Sequence, residues 1–149
     1  MKLKYLKNIK DPYISKEKFD YILNVKNKLD YNKWIQYVDS HQNYFTWYEN
    51  TEDGIYKKNN MDKVPESFRE KEILYLDKKN AHAEYNTKKG FYEVILSFNY
   101  NLGIISTTFQ KKITKEHLKM LLEMANHLDA YLLNSGKTII DEKVVKELE

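Results

Sequence analysis

Three stretches, 81–86, 91–98 and 104–110, alternate apolar and polar residues with a period of two, the spacing of a strand laid against a core. In the longest, Tyr92, Val94, Leu96 and Phe98 fall on one face and Phe91, Glu93, Ile95 and Ser97 on the other. Apolar residues on both faces predict an interior strand. Shorter runs at 44–50, 55–57, 131–133 and 138–140 complete the strand signal. The four glycines, Gly54, Gly90, Gly103 and Gly136, each sit among turn-forming residues between two such runs, so each reads as a hairpin connection. Hairpins join antiparallel neighbours, and an antiparallel sheet is predicted.

A longer period marks the helices. Ser15 is placed to cap a helix carrying Phe19, Ile22, Leu23 and Leu29. Asp30 is placed to cap a second, in which Tyr31, Trp34, Ile35 and Val38 share a face. The clearest helix starts at Thr114, with Leu118, Leu121, Leu122, Ala125 and Leu128 as its buried stripe and Ile113 stapling back onto Leu118. Asp141 caps a short last helix with Val144, Val145 and Leu148, and Pro65 opens a helical turn through Phe68. Residues 73–76 fit either a strand or the end of a helix. The expected fold is α+β, one globular domain over 1–149. It has an antiparallel sheet of about five to seven strands, as hairpins and a meander, with helices packed mainly on one face.

Composition narrows the class more than the function. A chain of 149 residues with 14% aromatic content can fill a core without staples. The absence of Cys excludes disulfides, thiol catalysis and Cys-ligated metal centres. Basic residues number 25 against 22 acids, for a net charge of +3, and Arg69 is the lone arginine. A dedicated nucleic-acid binder concentrates its basic field and uses arginine forks, so that class is disfavoured. The abundance of Lys, Asn, Ile and Tyr is also what A/T-rich coding produces. No run approaches the roughly eighteen apolar residues of a membrane helix, and residues 1–7 lack the apolar stretch of an export signal. The expectation is a cytoplasmic protein with no membrane partner.

Few residues suggest chemistry. Ser135-Gly136-Lys137-Thr138 resembles the end of a phosphate loop, but Tyr131 stands where the loop needs its first Gly, and a hairpin turn is the plainer reading. His82 and Glu84, two apart on a strand, would point to one face and could form an acid–base pair or part of a metal site. Deaminases with His-x-Glu spacing also need Cys ligands, which this chain lacks. Glu123 and His127 read as a surface helix pair. No catalytic residue, metal or cofactor is assigned.

Two surface groups point to binding instead. Tyr44, Trp47 and Tyr48, beside Glu49, Glu52 and Asp53, combine aromatic area with acidic charge, the composition of an interface. Lys88 and Lys89, in the turn after the first meander strand, should share one end of the sheet with Lys111 and Lys112, which follow the third. That end could dock an acidic partner. The expected function is a non-enzymatic protein-binding module, for instance a toxin-neutralising immunity protein, with homo-oligomers compatible. A small-ligand binder or hydrolase with a cleft between helices and sheet, using His82 and Glu84, is the rival. Weak nucleic-acid binding through the lysines is the third reading.

Overall fold

The computed structural model describes residues 3–149; Met1 and Lys2, the first residues of the basic start, lie outside them. Twelve elements follow in order: β1 (Pro12–Ser15), α1 (Tyr31–Asp39), β2 (Phe45–Trp47), α2 (Glu52–Asn59), α3 (Glu66–Tyr75), β3 (Asn80–Asn86), β4 (Phe91–Asn99), β5 (Ile104–Phe109), α4 (Lys115–His127), β6 (Tyr131–Asn134), β7 (Thr138–Ile139) and α5 (Glu142–Glu147). The strands form one sheet in the order β2-β3-β4-β5-β1-β6-β7, antiparallel throughout. Among the described residues no helix is long and apolar enough to cross a membrane.

One face of the sheet carries the core. Phe45, Trp47, Ala81, Ala83, Val94, Leu96, Phe98 and Ile105 are buried there with Trp34, Tyr37 and Val38 of α1, Leu118, Leu121, Met124 and Ala125 of α4, and Val145 of α5. Each buried large apolar side chain contributes about 1.5–3 kcal/mol, so this layer supplies most of the driving force. Asp30 caps α1 by accepting the N–H groups of Asn32 and Lys33, and Asp141 caps α5 by accepting that of Val144. In α4 the Thr114 hydroxyl accepts the His117 N–H while the His117 ring accepts the Thr114 N–H, a reciprocal box in which His stands where Glu or Gln is usual.

The structure corrects the sequence reading at several places. Residues after Ser15 form no α-helix, only a single 3-10 turn at Ile22–Asn24: Ser15 ends β1, and its hydroxyl turns the chain by bonding to the Glu17 backbone. The Glu17 carboxylate then accepts the N–H groups of Lys26 and Asn27, pinning a loop. The strand expected at 44–50 shrinks to β2, and the run at 55–57 belongs to α2 rather than to a hairpin strand. Gly54 is therefore not a turn glycine. A Cβ at Gly54 would lie 1.8 Å from the Tyr48 carbonyl oxygen, so this position needs glycine for space. Residues 73–75 close α3 as helix. The other glycines do sit in hairpin turns with positive φ, and Ser135 (φ +55) with Gly136 (φ +79) makes the primed turn that favours tight hairpins, not a phosphate loop.

Candidate functional site

The alternation along β3 and β4 breaks at one residue. Pairing runs from Asn80↔Ser97 to Ala83↔Val94 and resumes at Tyr85↔Tyr92, but Glu84 between them takes the left-handed conformation (φ +56). A left-handed residue inside a strand re-aims its side chain and its neighbours. His82 and Glu84 accordingly do not share a cleft, which removes the acid–base pair expected from their spacing. Tyr92, expected on the same face as Val94, instead meets the His82 ring edge-on at 5.3 Å.

His82 lies on the face opposite α1 and α4, in the wall of a cleft of about 640 Å³. The first turn of α2 brings Thr51, Glu52 and Asp53 to this cleft, and Tyr48, Tyr85, Phe91 and Tyr92 supply its rings. Thr51 fixes the geometry. Its hydroxyl donates to the Tyr48 carbonyl at 2.6 Å and accepts the Gly54 N–H at 3.1 Å, and Gly54 allows α2 to press against Tyr48. The Tyr48 ring packs on His82 at 5.3 Å and edge-on against Tyr75 at 5.1 Å. Lys57 lies near both tyrosine rings and pairs with Glu72 at 2.6 Å, tying α2 to α3.

Electrostatics set the protonation of this cleft. Burial lowers the pKa of His82, against the opposing pull of the Asp53 carboxylate, and keeps the imidazole neutral at pH 7. His82 is 9% exposed and its Nε2 has no hydrogen-bond partner among the described residues. Burial raises Tyr48 above its ordinary value, so its hydroxyl stays protonated. Glu52 and Asp53 are exposed, and neither is ion-paired among the described residues.

Glu84 faces the other way, into a network. Tyr44 donates to its Oε2 at 2.5 Å, His117 to the same oxygen at 2.6 Å, and Lys111 to Oε1 at 2.8 Å. The His117 tautomer follows from these bonds. Nδ1 accepts the Thr114 N–H, so Nε2 carries the proton given to Glu84. Burial alone would raise the Glu84 pKa, but the bonds from Lys111, Tyr44 and His117 outweigh it and hold the carboxyl at about 2. Burial and the same bond push the Tyr44 hydroxyl far above its usual range.

The remaining residues singled out from sequence scatter. Trp47 is withdrawn into the core against Trp34, its indole N–H donating to Asp39, so it offers no contact area to a partner. Tyr44 is half-buried and held by Glu84. Glu49 turns inward to accept the Lys78 N–H. Only Tyr48, Glu52 and Asp53 of that group come together at the cleft. Lys88 and Lys89 are exposed in the β3–β4 turn, and the strand registers bring Lys111 and Lys112 to the same end of the sheet. Lys111 is engaged by Glu84 and Glu93, while Lys112 borders a second cleft of about 710 Å³ with Lys7 and Lys10. Glu123 pairs with His41 and accepts from Tyr37 rather than meeting His127.

Sequence reasoning missed the surface of α2 and α3. Gly54 is the sole residue that α2 buries, and α3 buries none. Ile55, Tyr56, Phe68, Ile73, Leu74 and Tyr75 are all exposed, Tyr56 at 68% and Leu74 at 58%. The weak periodicity of 66–75 was the available signal: its apolar residues fall around the helix rather than on one stripe. No protein family, no curated protein and no solved structure matches this chain.

Proposed function

We propose that the protein is a binding module for another protein, and that its contact surface is the outer side of α2 and α3. The observation that supports this is six large apolar side chains exposed on two helices that bury almost nothing of their own. Single exposed apolar residues are ordinary, but a concentration of this kind leaves unfavourable hydration that a partner relieves. Tyr48, Glu52 and Asp53 adjoin this surface, so three of the residues first picked as an interface border it. A toxin-neutralising immunity protein is the specific form this reading takes: a small domain that masks a toxin by docking.

The test is a comparison of two baits in the native host. Tagged wild-type chain is expected to retain a protein that the Tyr56→Asp/Phe68→Asp double variant loses, with both baits equally folded by circular dichroism. Equal recovery by the two, or recovery by neither, overturns the proposal. A second reading is anion binding in the cleft of Lys7, Lys10 and Lys112, which Thr107 and Thr108 also line. It requires affinity for polyphosphate or nucleic acid that falls steeply with salt.

A further inference from the structure

The cleft beside His82 is poised to select what the partner presents. Resting on the protein-binding reading, we infer that it receives a positively charged side chain, lysine or arginine, of that partner. Rings from Tyr48, Tyr85, Phe91 and Tyr92 form its walls, and Glu52 and Asp53 stand at it without a counter-charge. Among the described residues no lysine or arginine lines it; Lys88 and Lys89 stand in the adjoining turn. Aromatic faces attract cations, more strongly as the ion leaves water, and carboxylates add Coulomb attraction. An anion would meet two unpaired carboxylates, and a wholly apolar group would strip them of water with nothing in return.

His82 points to a ligand independently of the acids. It lines the cleft, is nine-tenths buried, and has an Nε2 with no partner. Buried polar atoms are normally satisfied, so such an atom marks a place where a partner is missing. Neither ring nitrogen is bonded among the described residues, so no contact fixes the tautomer; in the Nδ1–H form Nε2 accepts an ammonium or guanidinium N–H once the Tyr48 and Tyr92 rings packed on it part. The neutral ring adds no positive charge to repel that cation. Continuity completes the case. Glu52 and Asp53 open α2, and Ile55 and Tyr56 of the next turn belong to the exposed apolar surface, so one partner can cover both.

The full chain is titrated with N-acetyl-arginine methylamide and N-acetyl-lysine methylamide, with the citrulline analogue as the uncharged control, and followed by NMR. Saturable shifts at Tyr48, His82 and Tyr92 are expected with a cationic probe in the millimolar range, and none with citrulline. The Glu52→Gln/Asp53→Asn variant should weaken binding by about tenfold, as loss of two charged partners implies. Absence of shifts at these residues, equal response to citrulline, or unchanged affinity in the variant overturns the inference. Such a failure leaves the binding reading standing if wild-type bait still retains a protein that Tyr56→Asp/Phe68→Asp loses. Cation binding with no protein retained overturns the partner as the source and leaves a free cationic ligand.

Discussion

His82 and Glu84 are separated by one residue and meet opposite fates. Glu84 is surrounded by donors, with Tyr44, His117 and Lys111 all bonded to its carboxylate. His82 is also buried, and its Nε2 has no partner among the described residues. The first arrangement resembles catalytic machinery but is closed: each proton has a destination, the pKa is forced far from neutrality, and no group is left poised to exchange. The second is open, with a neutral ring, unpaired acids and exposed aromatic faces. Saturation marks a group that holds the fold together, and an unmet bond marks one that is free to bind.

The largest effect that could break this contrast is at Glu84. Glu84→Ala strands the Tyr44 hydroxyl and the His117 imidazole N–H, while exposed Lys111 keeps Glu93, and should cost about 2–4 kcal/mol in urea unfolding. A loss under about 1 kcal/mol would show that the network does not hold the fold. The same carboxyl leaves a pH signature. Its folded pKa of about 2 lies below the ordinary 4.5, so its contribution is complete above 4.5 and is lost as pH falls toward 2. Stability measured across that window should fall less steeply in Glu84→Gln than in the wild type. An equal slope in both would assign the acid sensitivity elsewhere.

Next in size is Gly54→Ala, which forces a Cβ against the Tyr48 carbonyl. About 1–3 kcal/mol should be lost, with shifted Tyr48 and Asp53 resonances, because α2 must back away from the cleft. Gly90→Ala is the control, since nothing lies near its Cβ and only the positive φ is penalised, at about 1 kcal/mol. The smallest effect is expected at His82. Replacing the imidazole, neither of whose nitrogens is bonded among the described residues, by the slightly larger phenyl ring in His82→Phe should change stability by less than about 1 kcal/mol in either direction. A large loss would reveal a hidden partner for Nε2 and close the contrast with Glu84.

The sheet was legible wherever strands were long and turns carried positive-φ glycines. Gly90, Gly103 and Gly136 each mark a hairpin, and the meander they bound is the meander found. Caps at Asp30, Thr114 and Asp141 were equally plain, because a side-chain oxygen before an amphipathic stripe has one good use. Gly54 misled because close packing and positive φ both select glycine, and sequence does not separate them. β1 gave no signal: it has four residues, begins with Pro, and only Ile14 is a large apolar core residue. The site was half legible. His82, Tyr48, Glu52 and Asp53 were singled out, but Tyr92 joins them through the left-handed turn at Glu84, which no periodicity announces.

β1 decides when the chain can finish folding. It lies between β5 and β6, so Ile14 pairs with Ile105 on one side while Pro12 pairs with Asn134 on the other. The meander can form as soon as β3, β4 and β5 exist, because its turns are local. β6 and β7 form a hairpin of their own, joined to the rest of the sheet through β1. Closure therefore waits for β6 and carries the entropy of joining strands far apart in sequence, a step that non-local contacts make slow. Until then the β6-facing edge of β1 is open to any other strand, a point where misassembly can start.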